Sequence, residues 1–128
     1  MPTRKIIFPS PVTLRDPADG SVLTGPPVTM GDFVKKLFAN PIWNESYKAA
    51  RAQDSIGRAI DNAVIAKDGS FSVAEEDWQY LKAAAENPRM VVFVQGGGSQ
   101  TIAGFGALPS MARQFVVFQT AIIDAIVE

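Results

Sequence analysis

The sequence predicts an α+β fold: an N-terminal β-hairpin and a short second β element packed on about four helices, with the C-terminal helix central. Three patterns predict it. Residues 12–15, Val-Thr-Leu-Arg, alternate apolar and polar as a half-buried strand does. Several stretches after residue 29 set apolar side chains three and four apart, the period of a helix lying on a core. Residues 90–94, Met-Val-Val-Phe-Val, form a β-branched and aromatic run of the kind strands favour.

Residues 1–28 read as an extended arm with a hairpin. Asp16-Pro17-Ala18-Asp19-Gly20 supplies the turn: Pro17 suits its second position, and Gly20 can take the left-handed conformation that closes it. Residues 21–24 would return, and Gly25-Pro26-Pro27 stops them.

Residues 29–87 read as helical. Thr29 is a cap with Asp32 three residues on, and Phe33, Val34, Leu37 and Phe38 form one face opposite Lys35 and Lys36. Asn40-Pro41 ends that helix and opens the next, since Asn caps and Pro fits the first helical position. The second helix is expected over 41–66. Trp43, Tyr47, Ala50, Ile56, Ile60, Ala63 and Val64 make its apolar side, and polar residues 51–55 with Gly57 favour a break near Asp54. After a turn at 67–70, Ser72 is the expected cap of a third helix, with Glu75 completing the box. Glu75, Glu76 and Asp77 would fill its first turn, Trp78 and Leu81 its apolar edge, and Asn87-Pro88 its end.

Residues 88–108 read as a strand and a glycine-rich loop, with 101–108 open between a second strand and a loop. Residues 109–128 read as a buried helix capped by Ser110. Met111, Phe115, Phe118, Ile122 and Ile126 form its stripe, widened by Val116, Val117, Ile123 and Val127 almost all round. No linker or repeat divides the 128 residues, which suit a single domain.

Composition narrows the chemistry. The chain has no cysteine and no histidine, which removes disulfides, thiol catalysis, the commonest general base and the commonest zinc ligands. A net charge of −1 offers no basic excess for phosphates, so nucleic acid is not an expected partner. Residues 111–127 are the most apolar stretch, but Arg113, Gln114, Gln119, Thr120 and Asp124 interrupt it, so a buried helix is expected and a membrane span is not. The N-terminus shows no secretory signal.

Partial motifs resolve into ordinary structure. Asp68-Gly69-Ser70-Phe71-Ser72 with Glu75 echoes half of an EF-hand loop, yet Val64 and Ala66 fall where its first ligands belong. Gly96-Gly97-Gly98 follows a strand but lacks the lysine and third glycine of phosphate-binding loops. Serines have no histidine to activate them, and neighbouring carboxylates on a helix point apart. Neither a catalytic residue nor a cofactor or metal site is assigned. The candidate interaction residues are the aromatic side chains Trp43, Trp78, Phe115 and Phe118, and the acidic turn of Glu75, Glu76 and Asp77.

The order of segments resembles that of small proteins encoded by tailed bacteriophages near head and tail morphogenesis genes. The resemblance lies in Ile-Phe-Pro-Ser-Pro-Val-Thr-Leu-Arg-Asp-Pro-Ala-Asp-Gly, then Thr-Met-Gly-Asp-Phe-Val, Glu-Glu-Asp-Trp-Gln-Tyr-Leu-Lys, Leu-Pro-Ser-Met-Ala-Arg-Gln-Phe and the terminal Ala-Ile-Ile-Asp-Ala-Ile. It implies a virion component, an assembly chaperone or a host-directed accessory protein, in the cytoplasm of an infected bacterium or in the virion, and not an enzyme. Three functions are therefore expected in order. The first is a non-enzymatic protein–protein interaction protein of phage morphogenesis, with a protein partner that can include a second copy. The second is a regulatory binder that sets Glu75, Glu76 and Asp77 against a basic host surface. The third is a small enzyme or phosphorylated-ligand binder using Gly96–Gly98.

Overall fold

Strand β1, Thr3–Ile7, is the centre of the main sheet. The computed structural model describes residues 2–16, 19–22, 27–87, 89–93, 99–103 and 114–128. Strand β2, Ser70–Ala74, runs antiparallel on one side of β1, with Ile6 opposite Phe71 and Arg4 opposite Val73. The short strand β5, Ile126–Val127, runs antiparallel on the other side. Ile6, Phe71 and Val73 are buried, so one face of this sheet meets the helices. The other face is exposed and mixed: Ile7 and Ile126 stand on it beside Lys5, and the Glu128 carboxylate accepts from the Thr3 hydroxyl at 3.2 Å and from the Ser72 hydroxyl at 2.5 Å, spanning all three strands.

The expected hairpin at 12–24 is corrected. Among the described residues it is reduced to isolated bridges, Arg15 with Val22 and Val12 with Val28. Gly20 takes φ 76° and its N–H donates to the Asp16 carbonyl, while Pro17 and Ala18 lie outside the described residues. Arg15 and Val22 are both exposed and gain no buried face to extend their pairing. Leu23, Thr24, Gly25 and Pro26 lie outside the described residues.

Helix α1, Met30–Leu37, follows the sequence closely. The Thr29 hydroxyl accepts from the Asp32 N–H, and the Asp32 carboxylate accepts from the Thr29 N–H, both at 3.2 Å. Its buried side is Met30, Phe33, Val34 and Leu37.

The second expected helix breaks earlier than predicted. Residues Pro41–Asn44 form a 3₁₀ turn capped by Asn40, and α2 then runs unbroken over Tyr47–Ala66, straight through Asp54 and Gly57. Ser46 is the cause, for its hydroxyl accepts from the Ala49 N–H at 3.1 Å and starts a new helix. Asp54 and Arg58 pair one turn apart at 3.2 Å on the exposed side. The restart shifts the apolar register. Ala49, Ala52, Ile56, Ile60 and Ala63 are buried, whereas Tyr47, Ala50 and Val64, expected on that face, are exposed.

Ser72 does not cap the third helix, because it lies inside β2. Helix α3, Glu75–Glu86, starts after Ala74 with no side-chain cap, and the Glu75 N–H instead donates to the Pro2 carbonyl at 3.2 Å. It ends at Asn87, as expected.

Strands β3, Arg89–Phe93, and β4, Ser99–Ala103, pair antiparallel as a separate two-stranded sheet. This realises the short second β element and decides for a strand in the first part of 101–108. The expected buried helix at 109–128 is corrected to α4, Val116–Ile123, among the described residues. Phe118 and Ile122 are fully buried, but Val116 and Val117 are half exposed. Ile126 and Val127 leave the helix to form β5, where their β-branched side chains stand outward. The molecule is thus α+β, with helices α1–α4 against an antiparallel sheet. Among the described residues, no helix is long and apolar enough to cross a membrane.

Candidate functional site

The four aromatic candidates pack inside the chain. Phe118 and Phe115 stack on Phe33 with ring centres 5.3 and 5.9 Å apart, tying α4 to α1. Trp43 is buried under an edge contact from Phe38, and its indole N–H donates to the Leu37 carbonyl at 2.8 Å. Trp78 is buried between α3 and α4, with its indole N–H donating to the Ile122 carbonyl at 2.8 Å. Each indole adds a bond to a carbonyl in the last turn of a helix, beside the backbone donors Asn40 at Leu37 and Ala125 at Ile122. None of the four presents a face to a partner.

The acidic turn splits. Glu75 faces β1 and accepts a two-pronged hydrogen bond from Arg4, Nε to Oε2 at 2.5 Å and Nη2 to Oε1 at 3.1 Å. The same guanidinium donates to the Ala125 carbonyl at 3.1 Å and lies 4.0 Å from the Trp78 ring centre. The Arg4 hydrogen bond holds the Glu75 carboxyl below its ordinary pKa, with smaller help from Arg4 charge, Gln79 and Lys82 against the cost of burial. Arg4 therefore joins the first strand, the start of α3 and the C-terminal segment. Its sequence signal, an arginine beside a lysine at the start of a short strand, is too common to have marked it.

Glu76 and Asp77 point elsewhere. They line a cavity of about 270 Å³ with Lys48, Arg51 and Tyr80. Burial raises the Asp77 pKa, and the Glu76 charge adds to the rise while Arg51 opposes it. Cations and carboxylates are mixed here, so the three acids do not form one negative face. Among the described residues no group of three or more acidic side chains is placed to hold a metal ion. Gly96, Gly97 and Gly98 lie outside the described residues.

Two features that sequence reasoning missed lie around the C-terminal half of α2. Ile65 is 80% exposed and Val64 59% exposed. Val64 borders a groove of about 290 Å³ lined by Phe8, Pro9, Pro11 and Met30. A continuous helix phase from Trp43 would have turned Val64 inward, and only the restart at Ser46 reveals it. On the other side of the same helix end, Ala59, Asn62, Ala63 and Ala66 border a trough of about 590 Å³ with Ser70 and Ser72 of β2. This arrangement offers surface and backbone hydrogen-bonding groups, and among the described residues no nucleophile or acid–base pair converges there. No protein-family model, curated protein or solved structure matches the chain.

Proposed function

We propose that this chain is a non-enzymatic protein–protein interaction protein, acting in tailed-phage morphogenesis as a virion component or an assembly chaperone. The supporting observation is the outward apolar pair Val64 and Ile65, of which Val64 borders the Phe8, Pro9 and Met30 groove. Burying the two would remove aliphatic surface from water at a site where the described residues leave both side chains exposed, and such exposed apolar surface marks association sites. The sequence resemblance supports the morphogenesis setting.

The test is co-purification of the full chain with individually co-expressed head and tail proteins of the source phage. Wild type is expected to retain a defined one of them. V64S/I65K is expected to lose it with an unchanged circular dichroism spectrum, because both side chains already stand in solvent. A monomeric wild-type protein that retains none of them would sink the reading.

A further inference from the structure

Among the described residues, the edge of β2 turned away from β1 is unpaired and borders the trough beside α2. Its hydrogen-bond phase follows from two bonds that bracket the β1–β2 ladder. The Phe8 N–H donates to the Gly69 carbonyl, and the Glu75 N–H donates to the Pro2 carbonyl. In the register of this pair those are directly opposed residues, so Arg4 with Val73 and Ile6 with Phe71 also exchange bonds. Ser70, Ser72 and Ala74 then direct their N–H groups away from β1. On β1 the same phase directs Thr3 outward, and its carbonyl accepts from the Glu128 N–H as required. The N–H and C=O groups of Ser70 and Ser72 meet no partner among the described residues, and Ser72 is exposed. Opposite them stand the short side chains of Ala59, Asn62, Ala63 and Ala66, leaving the trough open.

We infer that this edge accepts an extended segment of a partner protein as a fourth strand between β2 and α2. The inference rests on the reading of the chain as a protein-binding molecule and names how one partner is held. Unpaired edge groups template a new strand, and alternate side chains of that strand meet the wall of the trough. The lining carries no charge except Asp68 at one end, so the segment it takes is uncharged, with small side chains toward α2.

The experiment pans a displayed library of random twelve-residue peptides against the full chain and titrates the enriched peptides into the ¹⁵N-labelled protein. Uncharged peptides are expected, with slowed amide exchange at Ser70 and Ser72. Ser72→Pro removes an edge N–H that the β1 ladder does not use, and should weaken binding about tenfold or more. Ser72→Ala loses only the hydroxyl bond to Glu128 and should bind like wild type. Asn62→Trp fills the trough from α2 and should also weaken binding, which keeps the test decisive if Ser72→Pro does not fold. No enrichment, protection elsewhere, or undiminished binding by both Ser72→Pro and Asn62→Trp would overturn the inference. So would a wild-type dimer in sedimentation that Ser72→Pro dissolves, which would assign the edge to a second copy. Retention of a whole partner by wild type and Ser72→Pro alike would overturn the edge while leaving the proposed function standing.

Discussion

Replacing Trp78 by Phe separates a core tryptophan from a docking one. The indole N–H donates to the Ile122 carbonyl at 2.8 Å, and the side chain is only 3% exposed. Losing a buried hydrogen bond costs about 1 kcal/mol net, and the missing part of the ring leaves a small cavity worth about another 1 kcal/mol. The Ile122 carbonyl keeps a second, longer bond from the Ala125 N–H at 3.3 Å, so it is not orphaned and the larger penalties do not apply. A loss of about 2 kcal/mol is expected, which lowers the midpoint by about 8 °C in a domain of this size. Urea unfolding followed by circular dichroism measures it, and Trp43 remains as a fluorescence reporter. A stability loss under about 0.5 kcal/mol, with retention of a bound protein sharply reduced, would refute the packing argument and return Trp78 to the surface.

Gly57→Ala is expected to stabilise the protein by about 0.5–1 kcal/mol in thermal unfolding, because glycine is a poor residue inside a helix. The added methyl would meet Phe38 Cε2 at 3.6 Å, an ordinary contact, so a loss of stability would show that α2 and Phe38 lie closer than described. Glu75→Gln tests the Arg4 pin through pH. The native Glu75 pKa is lowered, so its stabilisation is full above the ordinary glutamate range and is lost as pH falls through the lowered value. Wild type should therefore exceed the variant at neutral pH and converge with it in acid, and parallel pH–stability curves would reject the pairing.

Local chemistry made part of the fold legible. The Thr29–Asp32 capping box, the Asn40–Pro41 junction and the Asn87 stop each depend on neighbours in sequence, and each appears where expected. The left-handed Gly20 belongs with them. Errors arose where two local signals competed. The polar stretch at 51–55 pointed to a break near Asp54, whereas the helix restarts at Ser46, whose hydroxyl accepts from the Ala49 N–H. Ser72 could cap a helix or join a strand, and the distant β1 backbone decided for the strand.

Residue type and short spacing suffice for the α+β class, the capped start of α1 and the lack of thiol and imidazole groups. Packing between distant segments is what buries Trp43, Trp78, Phe115 and Phe118, pairs Glu75 with Arg4 and turns Val64 and Ser72 outward. The reason is physical. Burial and strand pairing are properties of segments far apart in the chain, as when residue 4 meets residues 75 and 125, and no local pattern carries the free energy of that meeting.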